Sequence, residues 1–155
     1  MFNKIIWATD GSEAADHALT LVRELAAAPA KLVVVHDHEL LAGRAGGLPV
    51  VADEPEIQTK IGKQVADLRD TGIDVHLRMS KGMQSRAAHV IADIAVDEGA
   101  DLIVVGTRGH GPVAGVILGS VTQRLLHLAP CPVLAVPPPA PIGKAKGEPA
   151  VAARA

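Results

Sequence analysis

A chain of 155 residues, 48% apolar and 21% charged, carries enough hydrophobic side chain for one domain with a full core and is not a disordered polymer. Its formal net charge of −2, with no long basic run, argues against nucleic acid and anionic membrane as partners. The aromatics are Phe2 and Trp7, with no tyrosine, so the stacking platforms that grip single-stranded nucleic acid are excluded and the core must be Val, Ile, Leu and Ala.

Lys4 to Ala8 is a short apolar run of the kind found in a strand buried on both faces. Thr9-Asp10-Gly11-Ser12 ends it. Ser12 suits a helix N-cap, with Glu13 and Asp16 favourably placed in the first turn, and Leu19, Val22, Leu25 and Ala26 recur at helical spacing. Lys31 to Asp37 predicts a second strand in which His36 and His38 share one face and Asp37 takes the other. The two histidines have metal-ligand spacing but no convincing third ligand, so no metal site is read there. Leu40 to Pro55, with three glycines and two prolines, predicts a loop; Arg44 within it is within reach of a phosphate or simply solvated.

Ile57, Ile61, Val65 and Leu68 mark a second helix that ends before Gly72. Ile73 to Met79 predicts a third strand whose weaker pattern points to an edge. Lys81-Gly82 is expected to turn into a third helix carrying Ala87, Val90, Ile91, Ile94 and Ala95, closed by Gly99. Asp101 to Val105 is the most continuously apolar strand. A fourth helix follows, with Val121, Leu125 and Leu126 turned inward, and Pro132 to Val136 gives a fifth strand. The expected domain is 1–137; residues 138–155, rich in Pro, Ala, Lys and Gly, read as a disordered tail. Strands alternating with helices imply a three-layer α/β/α fold around a parallel, doubly wound sheet. No apolar stretch approaches the ~20 residues that span a bilayer, and the N-terminus lacks a signal-peptide pattern. Cys131 is alone and allows no internal disulfide. A cytoplasmic protein is expected.

The chemistry concentrates in Val104 to Leu126. A buried strand runs into a glycine-rich loop and then an apolar helix opening at Gly119-Ser120. Glycines admit a ligand close to the backbone, and a helix N-terminus offers unpaired N–H groups and a positive dipole end. The arrangement is either a phosphate cradle or a tight strand-to-helix connection built with glycine. No GxxxxGK[ST] occurs. Gly109 to Ala114 mimics GxGxxA but follows a late strand and lacks the acidic residue that would hold a ribose. The spacing that fits is G-x-x-G-x9-G-[ST], carried by Gly106, Gly109, Gly119 and Ser120.

That spacing, together with Ile6-Trp7-Ala8-Thr9-Asp10-Gly11-Ser12 and Ala129-Pro130-Cys131-Pro132-Val133-Leu134-Ala135-Val136, resembles the ATP-binding members of the universal stress protein family over Met1 to about Val136. The resemblance implies a Rossmann-like sheet of the adenine nucleotide alpha hydrolase type, with five parallel strands in the order 3-2-1-4-5. It implies a site for ATP, or for AMP or cyclic AMP, made by Ala8, Thr9, Asp10, Asp37, Val105, Gly106, Arg108, Gly109, Gly119, Ser120 and Val121. Asp10 would contact the adenosine part and is the one candidate for a magnesium ion; Arg108 would meet phosphate. It also implies a homodimer through the fifth strand. Asp37 departs from the family's pattern, which commonly has an apolar residue beside adenine, and so bears on affinity and base choice.

Catalysis is not supported by the residues. No second acidic residue joins Asp10 to hold a metal, His110 reads as a solvent-facing loop histidine, and Ser120 has no identifiable base. The expected function is a nucleotide-binding stress-response regulator. The alternatives are a low-turnover ATP hydrolase or phosphotransferase, and a dimeric interaction protein that binds no nucleotide.

Overall fold

The computed structural model describes residues 1–27, 29–40, 54–83, 86–108 and 118–139. These form β1 (Lys4–Ala8), α1 (Glu13–Leu25), β2 (Lys31–Leu40), α2 (Glu54–Asp70), β3 (Asp74–Met83), α3 (Ala87–Glu98), β4 (Leu102–Gly106), α4 (Ser120–Leu128) and β5 (Val133–Val136). All strand pairings are parallel, in the order β3-β2-β1-β4-β5. The doubly wound sheet and its strand order are those expected, and β3 is an edge, as its weak pattern predicted.

Alternation along the strands splits the core in two. Ile5, Trp7, Leu32, Val34, Leu102 and Val104 pack with Ala18, Leu19 and Val22 of α1 and Ile61, Val65 and Leu68 of α2. Ile6, Ala8, Val33, Val35, Ile103 and Val105 pack with Ile91, Ile94 and Ala95 of α3 and Leu125 of α4. So α1 and α2 cover one face and α3 and α4 the other. The winding reverses between β1 and β4, and the crevice of such a sheet opens outside the carboxyl ends of those two neighbours. Local signals set the helix ends. The Ser12 hydroxyl accepts the Ala15 N–H at 3.3 Å, and Gly99 closes α3 at φ 61°.

Several boundaries differ from expectation. α2 begins at Glu54, inside the segment read as loop; Pro55 in its first turn, flanked by Glu54 and Glu56, is a helix-start signal. Both β2 and β3 run longer than predicted, with a ladder from Lys31↔Asp74 to Leu40↔Met83, so Lys81 and Gly82 lie in a strand and not in a turn. β1 pairs with β2 only as far as Ala8↔Val35. Beyond it β2 continues paired with β3. In α4, Leu125 is fully buried and Val121 half-buried, but Leu126 is 51% exposed, against the expectation that it faces inward. The loop containing Arg44, the glycine stretch 109–117 and the tail from residue 140 lie outside the described residues.

Candidate functional site

The turn between β1 and α1 forms one side of the crevice. The Thr9 N–H donates to the Val35 carbonyl at 2.9 Å, carrying the strand pairing one step past Ala8. Thr9 is buried, and its hydroxyl oxygen accepts the Gly11 N–H at 3.1 Å. Asp10 Oδ1 accepts the Ser12 N–H at 3.0 Å, the local side-chain turn that its position in the sequence allowed. Gly11 sits at φ 76°, and a Cβ there would lie 2.8 Å from Ile57 Cγ2 of α2. Only glycine serves both demands.

α2 pins this turn from beneath. His36 is buried, with Nδ1 donating to the Thr9 carbonyl at 2.9 Å and Nε2 3.0 Å from Glu54 Oε1. His38 Nδ1 stands 2.8 Å from Glu54 Oε2, at an angle outside hydrogen-bond range, so that contact is electrostatic. Gln58 Nε2 donates to Glu54 Oε1 at 2.8 Å. Burial alone would raise the Glu54 carboxyl, but the contacts from Gln58, His38 and His36, with the charge on His36, outweigh it and hold it below the usual 4.5. Both ring nitrogens of His36 thus face oxygens of the fold. Further along α2, Lys60 Nζ donates to the Gly11 carbonyl at 2.7 Å and pairs with Asp16, which also accepts from Gln64. The His36–His38 pair singled out in the sequence is therefore a clamp on Glu54. Among the described residues, no group of three or more His, Cys, Asp or Glu is placed to hold a metal ion.

The other side of the crevice is the end of β4 and the start of α4. Val105 is buried. At Gly106 a Cβ would come within 2.9–3.0 Å of the Ala14 carbonyl group and 3.0 Å of the Ala15 nitrogen. Its missing side chain therefore lets β4 lie against the α1 backbone, a packing demand that the glycine spacing did not reveal. Thr107 N–H donates to the Val136 carbonyl at 2.9 Å, and its own carbonyl accepts the Gly119 N–H at 2.7 Å, pinching the glycine stretch at its base. The Thr122 hydroxyl, buried, donates to the Gly106 carbonyl at 2.8 Å. α4 starts with Gly119 as its N-cap and no capping side chain. Helix geometry leaves its first N–H groups without intrahelical partners. Ser120 and Arg108 are exposed at this end, and Val121 is half-buried beneath it; Gly109 lies outside the described residues.

Asp37 completes the frame. It lies two residues beyond Val35, past the last pairing with β1, on the face of Val33 and Val35 that α3 and α4 cover. Both of its carboxylate oxygens are closed to water and without a hydrogen-bond partner. Thus Ala8, Thr9 and Asp10 end β1, Val105 and Gly106 end β4, Gly119, Ser120 and Val121 open α4, and Asp37 stands beyond the end of β1. Sequence reasoning missed Glu54, Lys60, Thr107 and Thr122. The helix-start signal at Glu54-Pro55 could have brought Glu54 into view; nothing local marks the other three.

The model of the universal stress protein family matches residues 1–137. A universal stress protein of Thermus aquaticus is 36% identical over 137 residues, 88% of this chain and 99% of its own length. The solved structure of the protein MJ0577 of Methanocaldococcus jannaschii superposes with a TM-score of 0.74 at 26% identity, covering 88% of this chain and 96% of that one. A universal stress protein of Archaeoglobus fulgidus, solved in complex with dAMP, shares the fold at a TM-score of 0.62 and 24% identity, covering 88% and 98%. With that family match over 137 of its residues and the five-strand order 3-2-1-4-5, this chain belongs to the universal stress protein family.

Proposed function

We propose that the protein binds an adenine nucleotide, ATP or a relative such as ADP, AMP or cyclic AMP, in the crevice between β1 and β4, and acts as a nucleotide-dependent stress-response regulator in the cytoplasm. The observation that carries this reading is the uncapped N-terminus of α4, an anion site opening where the winding of the sheet reverses. Phosphates would meet the N–H groups of the first turn and the Ser120 hydroxyl, with Gly109 and Arg108 beside them. The sugar would lie over Thr9 and Asp10, against Ala8, Val105 and Val121. Any magnesium would be held mainly by the phosphates, with Asp10 as the protein's contribution. Binding of dAMP by a protein with this fold is in keeping with the assignment.

Nothing in the arrangement calls for turnover. At most a weak ATPase activity would follow, and steady phosphate release abolished by Asp10→Ala would favour that alternative. A second copy of the chain is the partner we propose, paired along β5. Val133 and Ala135 join one core and Leu134 and Val136 the other, while β5, last in the sheet, has an open edge. Sedimentation at micromolar concentration tests this: a wild-type monomer with and without ATP ends the dimer.

The nucleotide reading is tested by denaturing the purified protein to identify released nucleotide, and by calorimetry with ATP on wild type and Gly119→Val. A folded variant with unchanged affinity overturns the phosphate position. A wild type that neither carries nor binds nucleotide favours an interaction protein that uses the same fold without a ligand.

A further inference from the structure

His36 ties the crevice wall to the start of α2. It is 3% exposed, with Nδ1 2.9 Å from the Thr9 carbonyl and Nε2 3.0 Å from Glu54 Oε1. A carbonyl only accepts. Glu54 Oε1 already accepts from Gln58 at 2.8 Å, and its carboxyl is held below the usual range, so it meets the ring as a carboxylate. A neutral imidazole carries one proton and can serve one of these oxygens; only the doubly protonated ring serves both. With one proton, the other nitrogen would turn a lone pair toward an oxygen where water does not reach, which is costly.

The two contacts are unequal. A bond to a carboxylate is charge-assisted and roughly twice as strong as one between neutral groups. A ring with one proton therefore keeps it on Nε2 and gives up the Thr9 carbonyl. Thr9 is buried where β1 ends; its N–H carries the bond to the Val35 carbonyl, and its hydroxyl takes the Gly11 N–H. The proton count of the ring thus acts on the wall of the crevice. The charges around it have other engagements. Glu54 also faces His38 at 2.8 Å, Lys60 of α2 holds the Gly11 carbonyl and Asp16 of α1, and Asp10 in the turn accepts the Ser12 N–H. On β3 the register partners are Met79 for His36 and Lys81 for His38, and Asp37 alternates to the opposite face.

Resting on the nucleotide reading above, we infer that His36 is a proton-operated positioning residue for this site: doubly protonated it holds the Thr9 carbonyl and keeps the wall ready for the nucleotide, and on losing a proton it releases Thr9 and weakens binding. Histidine changes charge through the neutral range, so affinity is highest on the acid side of that range and falls as the pH rises through it. By reciprocity, nucleotide binding on the alkaline side draws a proton onto the ring. On the acid side the wall is held with or without a ligand.

Nuclear magnetic resonance on the ligand-free wild type and calorimetry with ATP, both from about pH 5 to about pH 8, test the inference. The Asp10 amide nitrogen shares a peptide group with the Thr9 carbonyl, so its signal should shift with the same midpoint as the His36 ring. Wild-type affinity for ATP should fall by about fivefold or more across the range, beyond the part owed to the terminal phosphate of ATP, which titrates there too and is common to every variant. His36→Gln, whose donor does not change with pH, should keep only the common part. His38→Gln should keep the wild-type slope, since the bond to Thr9 belongs to His36. The inference is overturned if the Asp10 signal stays still while the ring titrates, if the ring does not change protonation in this range, if wild type and His36→Gln share one slope, or if His38→Gln abolishes the slope. Should His36→Gln fail to fold, the wild-type titration and His38→Gln decide. Wild type that binds ATP at no pH defeats the nucleotide reading, and the shared titration of ring and amide then decides the hold on Thr9 by itself.

Discussion

The turn leaving β1 and the turn entering α4 border the same crevice, yet they are held by different means. The first is fixed from several directions by side chains. His36 holds the Thr9 carbonyl, Lys60 the Gly11 carbonyl, Asp10 the Ser12 N–H and Ser12 the Ala15 N–H. The second is held at its base by backbone, Gly119 to Thr107, and by one buried hydroxyl, Thr122 to Gly106. Among the described residues no side chain caps it. A wall built by side-chain bonds keeps one shape whether or not a ligand is present. A helix end left to its backbone donors keeps those donors for an anion. The difference therefore separates residues that shape the crevice from residues that would bind in it, and substitutions on the two sides should behave differently.

The largest effect is expected on the braced side. Glu54→Ala leaves His36 Nε2 and His38 Nδ1 buried without the carboxylate they face and should destabilise by about 3–5 kcal/mol. Trp7, the single tryptophan and fully buried, reports unfolding by fluorescence during urea titration. The same carboxyl sets an acid dependence. Because the folded protein holds Glu54 below the usual 4.5, its contribution is complete above that value and is lost as the pH falls through the lower folded value. The gap in stability between wild type and Glu54→Ala should therefore narrow below pH 4.5; a gap constant with pH would mean that the charge on Glu54 contributes nothing.

Next comes Gly106→Ala, which tests the seam between the two sides. Its Cβ would meet the α1 backbone, which cannot swing aside as a side chain could, and overpacking of this kind costs about 1–3 kcal/mol. If the urea midpoint is unchanged, β4 and α1 have slack that the distances do not show. A smaller loss, about 1 kcal/mol, is expected for Ser12→Ala, which removes the capping hydroxyl of α1 and leaves the backbone N–H bond to Asp10 in place.

Much of this was legible in the sequence because it rests on short-range signals. The apolar runs at Lys4–Ala8 and Leu102–Gly106, the cap at Ser12 and the left-handed glycine at Gly99 each follow from a few adjacent residues. The crevice was legible because Asp10 and Gly106 end strands that the family pattern makes neighbours. What was hidden depends on residues distant in sequence. Glu54 reaches His36 across 18 positions and Lys60 reaches Gly11 across 49, and neither pairing leaves a periodic trace. Gly106 was noticed as part of a ligand motif, yet its tightest neighbour is the backbone of α1, 92 positions away at Ala14. The His36-Asp37-His38 triplet shows both sides of this: alternation placed the residues on their correct faces, but spacing alone could not say that the histidines meet a carboxylate.

The smallest effect on stability should come from the open side, and it has the opposite sign. Gly119 caps α4 at φ −68° and ψ 159°, a conformation any L-residue adopts, so glycine is not required there by the backbone. Gly119→Asp supplies the side-chain acceptor that α4 lacks and places negative charge at its positive end. Replacing glycine at an N-cap by aspartate is worth a few tenths of a kcal/mol, and the variant should gain about that much, seen as a slightly higher urea midpoint. The same carboxylate would occupy the first-turn N–H groups and repel phosphate, so ATP affinity should fall by tenfold or more even as the fold becomes firmer. Measured together, the two quantities decide the point. Higher stability with lost affinity means the helix end is left uncapped for an anion. Higher stability with unchanged affinity would move the phosphates away from α4 and leave Gly119 as a connection and no more.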